Sequence, residues 1–331
     1  MRIVVTATLT AAFTAGCDAK LNDTAALDEL SAESDANAGA DADPEADDGP
    51  PPVAGSVDEA CGTNEYGYGS PSMDAMMALE RTHCYRRIMG IELGELDADL
   101  DRASQSHSDY MHRHDTLTHW QDDTLGGFTG EWVWDRMESA GFDVEAGQSW
   151  AEVVSWGTSP TEAVDMWVGS VYHRIPLTAP YWIALGYGQT GDYSSMSFVS
   201  PYPDGPRTAV VFPVHGQTQV PARFDSDTEW PDPAPNHGVV GYPISVTVAA
   251  ENTGSDYANP YDTAMTSASL TDAAGTELAI IELDPTTDSD MSNMVAIVPV
   301  EPFENGETYT ATMSVRWDGS EETFTTTFTV E

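Results

Sequence analysis

The segment from Asp18 to Ala60 is the feature that most limits where this chain can fold. It consists mainly of Ala, Asp, Glu, Gly and Pro, and it carries 13 acidic residues against one basic residue, Lys20. Such a segment cannot bury enough apolar surface to offset the entropy of ordering it, and its like charges repel one another. We expect a disordered, extended tether, which leaves residues 61–331 for the folded part.

The residues before this segment have the pattern of an export signal. Met1 and Arg2 provide a short positive end, and the apolar run Ile3–Phe13 follows. A permanent membrane span needs about 20 apolar residues, so residues 1–16 are predicted to be a signal peptide that is removed. An ordinary cleaved signal peptide followed by an incidental cysteine is the alternative to a lipoprotein signal.

The end of this signal, Thr14-Ala15-Gly16-Cys17, resembles the bacterial lipobox, with Thr14 where that motif usually has leucine. In that motif the cysteine is diacylated and becomes the new N-terminus. The resemblance implies that Cys17 is lipidated and that residues 17–60 tether the folded part to a membrane. The expected location is therefore the bacterial cell envelope or cell surface, with the lipid anchor as the contact to the membrane.

Charge and cysteine content limit the partners further. The formal net charge is −43 at pH 7, which argues against nucleic acid and anionic lipid headgroups as partners because both require positive charge. Apart from Cys17, the cysteines are Cys61 and Cys84. In an exported chain such a pair is most simply one disulfide, whereas a zinc site built from so few thiols is disfavoured.

The residues after the tether, about 270 of them, are enough for two domains of ordinary size. Hydrophobic spacing predicts an α+β domain in residues 61–205, with helices first and strands after them. The predicted helices are Met73 to Met89, Leu96 to Met111, Trp132 to Ala140 and one that begins at Pro160; the predicted strands are Tyr181–Tyr187, Met196–Val199 and Thr208–Val214. From about Pro206 onward, alternating runs separated by Pro, Gly and Asn predict an all-β sandwich over residues 206–331.

Five pieces of the first domain resemble, in order, the bacterial branch of the CAP superfamily (cysteine-rich secretory proteins, antigen 5 and pathogenesis-related proteins, also called SCP-like). The pieces are "LDADLDRASQSHSDYM", "LTH" at 117–119, "GFTGEWVWDRMESAGF", "WAEVVSWGTSPTEAVDMWVGSVYHR" and "IALGYG". The fold implied by this resemblance is an α-β-α sandwich, consistent with the α+β prediction from spacing.

The resemblance also implies a groove that gathers histidines and acidic residues. Carried over by position, these are His119, Glu152 and His173, and the second acidic position corresponds to Ser170 in this chain. Two imidazoles and a carboxylate could hold a divalent metal such as zinc through His119 and His173. They could equally form an acid–base set for catalysis, or simply line a groove as structural polar residues.

Four other polar residues have structural interpretations. His107 lies on the apolar helix face and is interpreted as a core histidine whose hydrogen bonds are satisfied. Arg136 is predicted to form a structural ion pair under the groove. His112 and His114 have metal-like spacing near His119, but residues at the exposed end of a helix give the same pattern.

The C-terminal part resembles bacterial immunoglobulin-like domains. The resemblance rests on "FPVHGQTQVPARF" and on the closing run "VEPFENGETYTATMSVRWDGSEETFTTTFTV". Such domains serve as spacers or adhesion units, and the fold alone does not give a function.

Two functions of different classes remain open. The first is a groove that binds a lipid, sterol, glycan or peptide, with no cofactor required and with a divalent metal as an option. The second is a metal- or His/Glu-dependent hydrolase that acts on peptide or cell-wall material. Because no complete catalytic set is present in the sequence, we favour binding over catalysis.

Overall fold

The computed structural model describes residues 55–61, 72–144, 148–181, 183–201, 206–249 and 263–331. The predicted signal peptide, Cys17 and most of the tether lie outside these residues. The helices are α1 Val57–Ala60, α2 Met73–Ile88, α3 Ala98–His114, α4 Val133–Ala140, α5 Pro160–Gly169 and α6 Arg174–Leu177. The strands are β1 Glu95–Leu96, β2 Gln148–Trp156, β3 Ala184–Thr190, β4 Tyr193–Pro201, β5 Thr208–Phe212, β6 Phe224–Asp225, β7 Val239–Val240, β8 Ile244–Ala249, β9 Ala264–Asp272, β10 Ile280–Leu283, β11 Met294–Pro299, β12 Thr308–Trp317 and β13 Ser320–Thr329.

The folded part begins earlier than the tether prediction allowed. Residues up to Ala60 were expected to be disordered, but α1 forms within them and buries Ala60. A capping box between Ser56 and Glu59 holds its first turn, and Asp58 pairs with Arg81 of α2 at 2.5 Å. The predicted disulfide between Cys61 and Cys84 is present and fixes the same turn to α2. The last residues of the predicted tether are therefore folded.

The four helices that spacing predicted are confirmed as α2 to α5, and local signals explain their ends. Ser72 caps α2 by accepting a hydrogen bond from Ala75 N at 3.0 Å, and Gly90 ends it with φ of +69°. The helix α4 ends likewise at Gly141, with φ of +101°. At α5, Pro160 occupies the first turn and Ser159 caps it. None of the helices in the described part of the chain is both long and apolar enough to cross a membrane.

One sheet lies between two layers of helices in the first half of the chain, which is an α+β arrangement. Its strand order is β1-β3-β4-β2, with β1 parallel to β3 and the other pairs antiparallel. Along β3, Leu185 and Tyr187 pack in the same cluster as α2 and α5. The alternate residues Gly186 and Gly188 face α3, because a Cβ on either would overlap the α3 backbone.

The strand β2 corrects the predicted order of helices followed by strands. It lies between α4 and α5 in the chain, and it pairs along its whole length with β4. Four consecutive residues, Glu152–Ser155, are buried, so both faces of the strand are covered and the alternating pattern that identifies a half-exposed strand is absent. Glu152 therefore lies at a covered position of β2, an edge strand of this sheet.

The second half contains two larger antiparallel sheets, of order β10-β11-β8-β5 and β13-β12-β9. Along β12 the side chains alternate between buried and partly exposed, and a row of threonine pairs such as Thr310 with Thr327 lines one face. Apolar residues of both sheets belong to the same buried cluster as α2 and α5. The core thus continues across the boundary predicted at residues 205 and 206.

A buried arginine links the two halves. Arg174, at the start of α6, donates hydrogen bonds to Val168 O at 2.7 Å and to Pro243 O at 2.8 Å. Its guanidinium also lies 5.1 Å from the ring centre of Phe212 and 5.3 Å from that of Tyr242. Residues before α6 are therefore positioned by contacts to the second half of the chain.

Candidate functional site

Glu152 is a buried carboxylate on β2, an edge strand of the first sheet. Arg136 of α4 donates a hydrogen bond from Nη2 to Oε2 of Glu152 at 2.5 Å, and Ser195 of β4 donates to the same oxygen at 3.3 Å. The other oxygen, Oε1, lies 3.0 Å from Nδ1 of His119. The ion pair predicted for Arg136 is therefore confirmed, with Glu152 as its partner.

The surroundings of Glu152 keep it ionised. Burial opposes the charged form, but the guanidinium of Arg136 and the hydrogen bond from His119 outweigh it and hold the pKa of this carboxyl well below its usual range. A general base that works near neutral pH needs a pKa near the operating pH. Glu152 is thus suited to holding Arg136 and orienting His119 rather than to taking up a proton.

The loop that carries His119 is held by a second buried histidine. His107 of α3 donates from Nε2 to Thr118 O at 2.7 Å, and its Nδ1 accepts from Nε2 of Gln121 at 3.1 Å. The amide oxygen of Gln121 in turn accepts from Thr129 N at 2.8 Å. Burial, followed by the charge of Arg136, lowers the pKa of His107 to about 3, so its ring is neutral at pH 7. The interpretation of His107 as a satisfied core histidine is confirmed.

His173 lies in the turn between α5 and α6, and its carboxylate partner is Glu229. Nδ1 of His173 lies 2.8 Å from Oε1 of Glu229 and 3.3 Å from Oγ of Ser170. Ser170 itself donates to Trp167 O at 2.9 Å, at the end of α5. The predicted neighbours Ser170 and His173 are therefore in contact, beside an acidic residue that the sequence did not indicate.

The two site histidines share one arrangement. A carboxylate oxygen can only accept, so Nδ1 of His119 donates to Glu152 and Nδ1 of His173 donates to Glu229. Nε2 of each ring is buried and has no hydrogen-bond partner. Within the described residues these two nitrogens are the only buried side-chain nitrogen or oxygen atoms outside arginine that have no hydrogen-bond partner. In the Nδ1–H tautomer of each ring, the unused lone pair is on Nε2.

The predicted site residues form two pairs, His119 with Glu152 and Ser170 with His173. Among the described residues, no group of three His, Cys, Asp or Glu side chains is arranged to hold a metal ion. Catalytic zinc sites use three protein ligands and structural ones four. The described residues thus offer two imidazole nitrogens of the right type for zinc, but not a complete ligand set. His112 lies exposed at the end of α3, in agreement with its interpretation as a residue at the exposed end of a helix.

Sequence reasoning missed two residues that shape the site, Glu229 and Gln121. Glu229 lies 56 positions after His173 in the part predicted to be a separate domain, and no local pattern distinguishes it from the many other acidic residues. Gln121 follows His119 by two residues, so its proximity to the first histidine was the available signal.

No protein-family model matches this sequence, and no curated protein matches it. Among solved structures, the chain is similar to the 1.5 Å crystal structure of an extracellular protein containing an SCP domain from Bacillus anthracis str. Ames. The two are 16% identical, and the match covers 40% of this chain and 45% of that chain with a TM-score of 0.33. A likeness this low decides neither the family nor the function.

Proposed function

We propose that this chain is an extracytoplasmic, lipid-anchored protein of the CAP type whose groove binds a small ligand, either a lipid, a sterol, a glycan or a peptide. The groove residues are His119, Glu152, Ser170 and His173. One observation carries the proposal, namely that Nε2 of both histidines is buried and has no hydrogen-bond partner in the part of the chain that the structure describes. A buried polar atom without a partner costs about 1–3 kcal/mol, and a ligand that donates to these atoms removes that cost.

Exposed aromatic side chains support a ligand with an apolar or sugar face. Trp120 follows His119 directly in the chain and is 45% exposed, and Trp230 follows Glu229 and is 50% exposed. Leu125 and Phe128, in the loop after His119, are also exposed. Tryptophan combines a large apolar face with a hydrogen-bonding edge, so these rings suit a glycan or lipid next to the histidines.

Binding is favoured over hydrolysis by the environment of Glu152. Its carboxylate is occupied by Arg136 and His119 and its pKa is held low. A hydrolase that uses Glu152 as a general base would need the opposite shift. A metal- or His/Glu-dependent hydrolase acting on peptide or cell-wall material is the alternative function.

A divalent metal such as zinc is the optional occupant that we propose for Nε2 of His119 and His173. Metal-ligating histidines usually donate their other ring N–H to a carboxylate, a backbone carbonyl or water, and both rings donate to a carboxylate. Any further ligands would come from water or from the bound molecule, since the described residues supply no three-residue set.

The location outside the cytoplasm rests on two features. The residues before Cys17 resemble a lipoprotein signal, and Cys61 is joined to Cys84 in a disulfide. Disulfides persist in oxidising compartments and are rare in the cytosol.

The decisive experiment compares two double variants of the full chain. Binding of palmitate, cholesterol, a peptidoglycan fragment, a mixed peptide library and Zn²⁺ is measured by calorimetry or equilibrium dialysis. The site variant is His119→Ala with His173→Ala, and the matched control is His112→Ala with His237→Ala, two exposed histidines. We expect at least one probe to bind the wild type and the control and to lose at least tenfold in affinity in the site variant.

Two outcomes would change the proposal. If every probe that binds the wild type binds the site variant equally well, the groove does not use these histidines. If the peptide or peptidoglycan probe is cleaved, and cleavage stops in a folded Glu152→Gln variant, the protein is a hydrolase.

A further inference from the structure

Glu229 is a buried acid that reaches the site from the second half of the chain. It follows a short 3-10 helix, Ser226–Thr228, which lies between β6 and β7. Its side chain is only 1% exposed, and burying an ionised carboxylate is costly unless it is paired and hydrogen-bonded. The contacts of Glu229 therefore have to compensate for the loss of water.

These contacts hold the turn that carries His173. Oε2 of Glu229 accepts from Val171 N at 2.8 Å, and Oε1 accepts from Tyr172 N at 2.7 Å and from His173 N at 3.2 Å. Three successive backbone N–H groups thus point at one carboxylate. This fixes the backbone directly before α6 and places the His173 ring beside the same carboxylate.

The fourth contact acts on the imidazole itself. Nδ1 of His173 lies 2.8 Å from Oε1 of Glu229, and the neighbouring Ser170 hydroxyl donates to Trp167 O. Because its proton is directed at Trp167 O, the Ser170 hydroxyl does not donate to Nδ1 of His173, which lies 3.3 Å from it. In the tautomer with Nδ1–H directed at the carboxylate, the remaining lone pair is on Nε2, the atom that has no hydrogen-bond partner among the described residues.

We propose that Glu229 is the positioning residue for His173, fixing the Nδ1–H tautomer so that Nε2 is the ligand-binding atom. This inference rests on the proposed function of the groove. It means that the second half of the chain completes the site and does more than act as a spacer. The acidic partner that position 170 does not provide comes instead from residue 229.

A purely structural role for Glu229 would look different. A backbone clamp needs an acceptor for the three N–H groups of residues 171–173 but has no requirement about the state of the ring. If Glu229 positions the ring, replacing it changes the tautomer of His173. The tautomer of His119 stays the same, because His119 has its own carboxylate partner in Glu152. The ring nitrogens therefore separate the two roles.

The test is ¹⁵N NMR of the histidine rings in the full chain without added metal, with His173→Gln used to assign the His173 signals. In the wild type, His173 is expected in the Nδ1–H tautomer. The Nε2–H tautomer there would overturn the proposal, and this measurement needs no Glu229 variant to fold.

The variants sharpen the test. In Glu229→Gln, the side-chain amide can place either an acceptor or a donor at Nδ1, so we expect the His173 signals to show loss of the single tautomer, with partial rescue in Glu229→Asp. The matched control is Asp227→Asn, an exposed acid on the same 3-10 helix, which should leave the ring unchanged. An unchanged His173 ring in a folded Glu229→Gln protein would contradict the proposal.

Zinc titration separates this inference from the proposed function. If the wild type binds Zn²⁺ through the site histidines, Glu229→Gln should weaken it roughly 10- to 100-fold, the typical effect of removing a residue that orients a metal ligand. If the wild type binds neither Zn²⁺ nor any other probe, the groove proposal fails, while the tautomer measurement still decides the role of Glu229.

Discussion

Arg136 and Glu152 form a fully buried ion pair, with Nη2 of the arginine 2.5 Å from Oε2 of the glutamate. The pair joins α4 to β2, and through the second carboxylate oxygen it reaches His119 in the loop after α3. One carboxylate therefore fixes the positions of three separate segments. The orientation of the first site histidine depends on this pair.

Removing Arg136 should destabilise the fold strongly. In Arg136→Met the carboxylate of Glu152 is left buried without its counter-charge, and breaking such a pair costs about 3–5 kcal/mol. Urea unfolding at pH 7 measures the change. Arg102→Met is the control, since Arg102 is largely exposed and should change the free energy of unfolding by less than about 1 kcal/mol. A loss from Arg136→Met as small as that of the control would show that the pair is not closed off from water.

Replacing Gly186 by alanine should disrupt the contact between β3 and α3. A Cβ at this position would overlap the backbone of Leu100 and Asp101, so the helix has to move away from the sheet. We expect a loss of about 1–3 kcal/mol or more in unfolding experiments. Gly169→Ala is the control, because its nearest atom would be Cε2 of Tyr242 at an ordinary 3.5 Å. Equal effects of the two changes would argue against the close packing of α3 on β3.

Acid should destabilise the protein through His83. Its Nε2 lies 2.7 Å from Gly94 O, and burial lowers its pKa from 6.5 to about 4. Between these values the unfolded chain binds more protons than the folded one, so stability falls as the pH drops from about 6.5 towards 4. The slope from one such group is up to about 1.4 kcal/mol per pH unit, and His107 acts in the same direction.

The matched variants for this pH effect are His83→Gln and His237→Gln. Urea unfolding at pH 7, 6 and 5 should show a shallower decline of stability in His83→Gln than in the wild type. His237 is exposed, and its replacement should leave the slope unchanged. If His83→Gln and the wild type lose stability in parallel between pH 6.5 and 5, the claim that folded His83 is buried and neutral over this range is wrong.

The disulfide should contribute measurably to stability. It closes a loop between Cys61 and Cys84, 23 positions apart, and a loop of this size corresponds to about 3 kcal/mol in the chain-entropy description. Reduction with dithiothreitol should lower the urea midpoint of the wild type. The midpoint of a Cys61→Ala, Cys84→Ala double variant should not respond to dithiothreitol, and a wild type equally indifferent to it would count against the bridge.

Lipid attachment should depend on Cys17 alone. Expressed in a bacterium fed radiolabelled palmitate, the full chain should incorporate label and partition into the detergent phase of Triton X-114. Cys17→Ser should abolish both, whereas Cys84→Ala should retain the label. Release of an unlabelled, water-soluble wild-type protein would favour the ordinary signal peptide instead.

The sequence predicted the helices well because their ends carry strong local signals. Ser72, Gly90, Ser159 and Pro160 act within one or two turns, and such signals can be identified without tertiary information. The strand β2 was missed for the opposite reason. Its residues 152–155 are buried on both faces, so the alternation expected of a half-exposed strand is not present.

The site was predictable only in part. His119, Glu152 and His173 came from a family resemblance, and the structure pairs the first two directly. Glu229 was missed because its proximity to His173 arises from the packing of two distant segments, which no periodicity encodes. The same packing, through Arg174 and the continuous core, also explains why the two halves are less separate than their different patterns indicated.

The central claim is that Nε2 of His119 and of His173 are the ligand-binding atoms of the groove. It is tested most directly by a high-resolution crystal structure of crystals soaked with Zn²⁺ or with a probe that binds. We expect ligand, ion or water density within about 3.2 Å of each Nε2, with Nδ1 of each ring still in contact with Glu152 or Glu229. Either ring turned so that Nε2 contacts a protein acceptor would contradict it.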